Sequence, residues 1–222
     1  MSFRWGEMNE VISNRQRFLA QLNIEPKRVV SAELVHGEAI ARVGQKQTGY
    51  GVLSNDNQIN ADGLITDEPN VYLFHAVADC LSILLYDPVK HAIGLAHAGW
   101  RGTTARLTEK IIACMADEFG TTPTDLIIGL GPALQSCCYV YQNPAQLSLP
   151  EWQPFLRVDM DKTHIDNVAF NIKQLERAGV PPRNIYRSEH CTVHTGMFPS
   201  HYADQQDKRP ESRFATIIGL RE

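Results

Sequence analysis

The chain has no run approaching the roughly 20 consecutive apolar residues of a membrane helix, no internal repeat and no low-complexity tract. Its opening, Met1-Ser2-Phe3-Arg4-Trp5-Gly6-Glu7, lacks a basic start followed by an apolar core, so no secretory signal and no membrane partner are expected. Positive charge is scarce: 21 Lys and Arg against 25 Asp and Glu give a net charge of -4, with no dense basic run. No broad field for nucleic-acid phosphates follows, and nucleic-acid binding is not expected. Neither G-x-G-x-x-G nor G-x-x-x-x-G-K-[ST] occurs, which removes the classical dinucleotide and P-loop readings. Only five cysteines are present, two of them adjacent as Cys137-Cys138, which is no secreted disulfide framework. The reducing cytoplasm is the expected compartment.

What is present, 43% hydrophobic and 21% charged residues, is the make-up of a soluble globular protein. One domain over residues 1–222 is expected. Apolar spacing predicts a first helix from Glu7 to Leu22, limited by Pro26, and strands from Val29 to His36, Ala39 to Val43, Gly63 to Thr66 and Val71 to Val77. Gly44 to Asn60 reads as a loop. A helix capped by Thr103 or Thr104 runs to Phe119 with Gly120 ending it, and a second spans Asp166 to Ala178 before Gly179. Cys114 and Met115 read as core filler. Leu126 to Leu130 is a buried strand, Asn143 to Pro154 a proline-rich loop, and Ile185 to Cys191 and Phe214 to Leu220 are closing strands. The class is α+β with a mixed, largely antiparallel sheet.

The densest chemistry lies between Ala78 and Thr103. Two apolar runs, Leu81 to Tyr86 and Ala92 to Ala96, flank the turn signal Asp87-Pro88-Val89-Lys90 and predict a hairpin. Symmetry about the Pro88-Val89 bond would set Cys80 directly opposite His97, a thiolate and an imidazole about 5 Å apart at Cβ. Such a pair suits Zn or Cu rather than Mg or Ca. His36, at a strand end before Gly37, is the best-placed third ligand, and three protein ligands leave the fourth position that a catalytic zinc requires. Arg101, close after His97 and just before the predicted helix, suits an anion such as phosphate; a surface ion pair is its alternative role. Asp62, before Gly63, could orient a ligand histidine or carry a proton, or simply form an Asx-turn. Asp79 should point away from the metal. Cys137 and Cys138, read as extended chain, should not both face one site.

The segments Val35-His36-Gly37, Asp62-Gly63-Leu64, Ala78-Asp79-Cys80-Leu81, His97-Ala98-Gly99-Trp100-Arg101-Gly102, Gly131-Pro132 and Cys137-Cys138-Tyr139 together resemble the YfiH-like family. That family has been labelled laccase-domain or multicopper polyphenol oxidase and is regarded as one of zinc purine nucleoside enzymes. The resemblance implies a layered α/β sandwich related to cysteine hydrolases of the cytotoxic-necrotizing-factor type. It also implies Zn2+ on His36, Cys80 and His97, with copper as an alternative metal. The implied reactions are phosphorolysis of adenosine, inosine, guanosine or methylthioadenosine and deamination of adenosine, with purine nucleosides and phosphate as partners. Cys80, His97, Asp62 and Arg101 are then the catalytic candidates.

The chain departs from the family pattern in places. The usual N-terminal strand region is not seen before the first helix, Ser82 replaces a proline, and Ala133 and Val140 replace a cysteine and a glutamate. Met197-Phe198-Pro199-Ser200-His201-Tyr202 stands where an aromatic-Ser-Tyr-Arg-Arg motif is usual. The missing basic residues make a nucleoside-binding protein with weakened turnover one alternative. A Cys80/His97 hydrolase of cell-wall precursors (peptidoglycan editing) is another, and copper-dependent phenol oxidation is a third.

Overall fold

The structure, a computed structural model, describes residues 1–221. Helix α1 (Met8–Gln21) buries Val11, Arg15 and Leu19 on one side. Strand β1 (Val29–Glu33) follows, then β2 (Ile40–Arg42), β3 (Ile59–Asn60), β4 (Gly63–Thr66) and β5 (Tyr72–Val77). The hairpin of β6 (Leu81–Asp87) and β7 (Ala92–Ala98) leads into two helices, α2 (Trp100–Thr104) and α3 (Leu107–Phe119). Next come β8 (Ile127–Leu130), β9 (Val140–Tyr141), β10 (Leu156–Asp159), β11 (Lys162–Ile165) and α4 (Asn167–Arg177). The chain closes with β12 (Ile185–Arg187), α5 (Thr192–Thr195), α6 (His201–Asp207) and β13 (Phe214–Gly219).

Alternation along the strands builds a layered α+β sandwich. A six-stranded sheet in the order β12-β8-β6-β7-β4-β2 faces a four-stranded sheet in the order β13-β5-β1-β3. Between them lie Val30, Leu64, Leu73, Ile93 and Leu95. The outer face of the larger sheet, through Ile83, Leu85 and Ala96, packs on Leu107, Ile111 and Met115 of α3 and Leu175 of α4. The outer face of the smaller sheet, through Val29 and Phe74, packs on Leu19 of α1. Strand β7 is buried along its whole length because both of its faces are covered, which is why Ala92 to Ala96 reads as an unbroken apolar run. Pairing is mixed: β1 runs parallel to β3 and β5, β2 to β4 and β8 to β12, while β7 is antiparallel to both neighbours. A small antiparallel sheet, β10-β11-β9, sits apart. No helix among the described residues is long and apolar enough to cross a membrane.

Three local expectations are corrected. The hairpin is centred on the Val89-Lys90 bond, so His97 pairs with Ser82 and not with Cys80. The cause is Asp87, whose side chain accepts hydrogen bonds from the backbone N-H groups of Val89 and Lys90 and shifts the turn by one residue. The helix expected from Thr103 is two helices, broken where Arg106 takes a left-handed conformation at φ 60°; Arg101 consequently sits inside α2 rather than ahead of a helix. Strand β1 ends at Glu33, and His36 lies beyond it in a left-handed turn at φ 59°.

Candidate metal centre

His97 is the one member of the trio within a sheet. Along β7, Ile93, Leu95 and His97 point between the sheets, and His97 is the last of them, so its ring stands where the inter-sheet core opens. Cys80 lies two residues before Ser82, the partner of His97, so it shares that face and reaches His97 diagonally rather than directly. The turn that delivers it is set by Asp79, left-handed at φ 73°. Asp79 itself turns away, accepting hydrogen bonds from the Thr192 and Ser200 hydroxyls and the Tyr202 backbone.

His36 completes the cluster. Its ligand nitrogen, the Cys80 sulfur and a His97 nitrogen all lie within 4.8 Å of one another, and the two imidazoles meet edge to face with centroids 4.9 Å apart. Asp62, fully buried, ties the trio together. One of its oxygens accepts from His97 Nδ1 at 2.8 Å and from the His36 backbone N-H at 3.0 Å, and the other from the Gly37 N-H at 2.7 Å. Three hydrogen bonds to one carboxylate, each worth about 1.5–3 kcal/mol, fix both histidine-bearing segments. An ionised carboxylate only accepts, so Nδ1 of His97 carries the proton and Nε2 is the nitrogen left for a metal. This is not the Asx-turn geometry that Asp62 could have adopted.

The donor set also has room for an ion. Gly99 stands across from Cys80 in the hairpin register, and a Cβ placed there would lie 3.0 Å from the Cys80 sulfur, 3.7 Å from the His36 ring and 3.8 Å from the His97 ring. The space is therefore kept by the absence of a side chain, and one sulfur with two nitrogens fits Zn or Cu.

Electrostatics agree with an ionised pair. Burial pushes the Cys80 thiol up, but the charge of His97 and hydrogen bonds from His36 and His97 outweigh it and bring the thiol down to about 6. Burial acts against the His97 imidazolium, yet Cys80 and Asp62 raise it to about 9. Asp62, pushed up by burial, is held below the usual carboxylate range by His97 and by the two backbone N-H groups. Beneath the trio, His75 is wholly buried, its ring 6.4 Å from that of His97 and both of its nitrogens without a hydrogen-bond partner. Burial, aided by His97, lowers it to about 3 and keeps it neutral.

Two cavities meet at this cluster. One of about 490 Å³ is lined by Arg4, Arg15, Arg101 and Arg213. The other, of about 430 Å³, is lined by Trp100, Tyr139, Tyr141 and Tyr202. His36, Cys80 and Arg101 belong to both walls. Arg101 lies over the Trp100 ring, 4.6 Å from its centroid. Tyr139, Tyr141 and Tyr202 interlock edge to face; Tyr139 and Tyr202 belong to motifs named above, whereas nothing in the sequence pointed to Tyr141. Cys137 and Cys138 do not line either cavity. They stand in a turn, not a strand, so contrary to expectation both sulfurs face one place, with Cys191.

If the trio holds a metal, replacing Asp62 with asparagine is expected to weaken the binding of added zinc about 10- to 100-fold, the usual cost of losing an outer carboxylate. Chelator competition measures it, and unchanged affinity would mean that Asp62 does not orient His97.

The fold and this cluster define a helix-sheet-sheet-helix protein with a one-cysteine, two-histidine donor set at the mouth of its inter-sheet core. Residues 3–221 match the family model described as multi-copper polyphenol oxidoreductase laccase, and the chain belongs to that family. Among its relatives, the purine nucleoside phosphorylase YlmD of Geobacillus stearothermophilus is 33% identical over 97% of this chain and 81% of its own. The crystal structure of YlmD from the same organism superposes with a TM-score of 0.91 at 32% identity, covering 100% of this chain and 84% of that one. The Bacillus licheniformis hypothetical protein YfiH gives 0.88 at 29% identity, over 97% and 82%.

Proposed function

We propose that the chain, acting as one domain, is a metal-dependent purine nucleoside phosphorylase. Its substrates are adenosine, inosine, guanosine or methylthioadenosine, and hydrolytic deamination of adenosine is a second reaction. One observation carries the reading: His36, Cys80 and His97 converge where an arginine-lined cavity meets an aromatic one, in a chain whose near relative bears that name. His36, Cys80 and His97 would hold Zn2+, or copper in its place, and the bound ion would supply Lewis acidity at the site. Arg101 binds the phosphate from the basic side, where a planar guanidinium meets an oxyanion with two donors. Tyr139, Tyr141 and Trp100 offer faces and edges on which a purine stacks. Asp62 holds His97 in one tautomer, which leaves Nε2 facing the metal position. Arg4 and Arg213 line the basic cavity from the chain's two ends and stand in for the arginines missing from the Met197 to Tyr202 segment. The expected compartment for such an enzyme remains the cytoplasm.

The test is a nucleoside panel followed by mass spectrometry at varied phosphate. Free base and a sugar phosphate should appear in proportion to phosphate, and inosine should form from adenosine without it. A protein with metal bound that leaves all four nucleosides intact would reject the proposal.

A Cys/His hydrolase is the second reading, favoured by the pairing of a depressed thiol with a raised imidazole. In metal-free protein the Cys80 thiolate is populated above about pH 6 and lost below it, so alkylation of Cys80 should be half-maximal near pH 6. Zinc should protect it. Alkylation indifferent to zinc, with amide hydrolysis indifferent to chelator, would favour the hydrolase instead.

A further inference from the structure

A second cluster of soft donors lies outside the site just described. The sulfurs of Cys137, Cys138 and Cys191 all fall within 4.8 Å of one another, and those of Cys137 and Cys138 are 3.7 Å apart. Two segments distant in sequence are fastened side by side to make this so. Cys191 forms a parallel bridge with Ala133, and the Thr192 N-H donates to the Ala133 carbonyl at 3.1 Å. The intervening turn is closed by the Cys138 and Tyr139 N-H groups, which both donate to the Gln135 carbonyl, at 2.9 and 2.8 Å. Asp79 anchors the other side through the Thr192 hydroxyl. The cluster is graded from the buried Cys191 to the exposed Cys137, which opens it to solvent on one side.

We propose that Cys137, Cys138 and Cys191 form a trigonal three-sulfur site for a soft monovalent cation of the Cu(I) class. Three sulfurs around an ion with metal-sulfur bonds near 2.3 Å stand about 4.0 Å apart, the edge of the triangle those bonds define. The observed spacing needs only small side-chain rotations to meet it. No fourth His, Cys, Asp or Glu joins this trio among the described residues. A structural zinc demands four protein ligands, usually in a tetrahedron, whereas thiolates in threefold array select a soft ion. Backbone N-H groups of Gln135, His194 and Val193 point at the Cys191 sulfur and hold it in place. Binding releases the thiol protons to solvent and involves no change of oxidation state.

The test uses the full chain carrying Cys80→Ala, which removes the sulfur of the first site, kept reduced and free of oxygen. Cu(I) is added in competition with a chromophoric Cu(I) chelator, and Zn(II) with a zinc indicator in a parallel arm. One equivalent of Cu(I) should be retained, with X-ray absorption reporting three sulfur neighbours. A further Cys191→Ser change should weaken retention at least about 100-fold, beyond what loss of an outer partner costs. Cys137→Ser, at an exposed position, supplies the same comparison without disturbing the core. Retention of Cu(I) unaffected by Cys137→Ser, a count of two sulfurs or fewer, or Zn(II) held more tightly than Cu(I) would each overturn the assignment.

Discussion

Cys80→Ala is expected to leave less than a tenth of the bound zinc and to lower nucleoside turnover more than the roughly 100-fold that loss of a carboxylate behind the ligands produces. The trio has one sulfur, and without it only two of the three protein ligands of a catalytic zinc remain. The protein should still fold, since Cys80 is half-buried and stands outside β6. Metal-free wild type is therefore the proper reference for stability. Against it the variant should melt within a few degrees, while the zinc-loaded wild type gains about 2.7 kcal/mol at a hundredfold excess of zinc over its dissociation constant. Elemental analysis and the nucleoside assay read the two quantities separately. Full turnover in the variant would sink the metal reading and the cysteine-nucleophile reading together.

Gly99→Val should do nearly as much damage without touching a ligand. The backbone at Gly99 is extended, φ -68° and ψ 169°, which valine tolerates, so the effect comes from volume and not from strain. A Cβ alone already presses on the Cys80 sulfur at 3.0 Å, and the two methyl groups of valine enter the space between sulfur and imidazoles. Loss of metal and a fall in turnover beyond about 100-fold are expected, with Gly99→Ala intermediate. Circular dichroism should show the fold intact. A valine variant that binds zinc normally would show that the ion does not occupy the space facing Gly99.

How much of this was legible in the sequence depends on where each residue's position is decided. Cys80 and His97 were paired by reasoning on a hairpin whose centre lies one residue further on; the face survived because a shift of two in partner leaves a residue on the same side. Gly120 and Gly179 stop their helices as expected, both left-handed, because nothing else in those turns competes. Arg106 breaks a helix through a left-handed conformation that its own side chain gives no hint of. The β10-β11 hairpin is hard to read because its strands are four residues each and, although Leu156-Arg157-Val158-Asp159 alternates, Val158 is exposed and no buried face marks the strand. Asp62 sat correctly between loop and strand, but its role as the fastener of two histidine segments depends on pairings 25 and 35 residues apart. The basic cavity escaped notice because Arg4 and Arg213 come from opposite ends of the chain.

That Cys80 and Arg101 belong to both cavity walls has a kinetic meaning. If the proposed phosphate and nucleoside lie on the two sides of that shared wall, neither has to pass the other to reach the metal ligands. The expected result for the proposed phosphorylase is random-order addition, read from inhibition patterns: a phosphate analogue should compete with phosphate alone and a base analogue with the nucleoside alone, and an inhibitor pattern that demands one substrate first would overturn it.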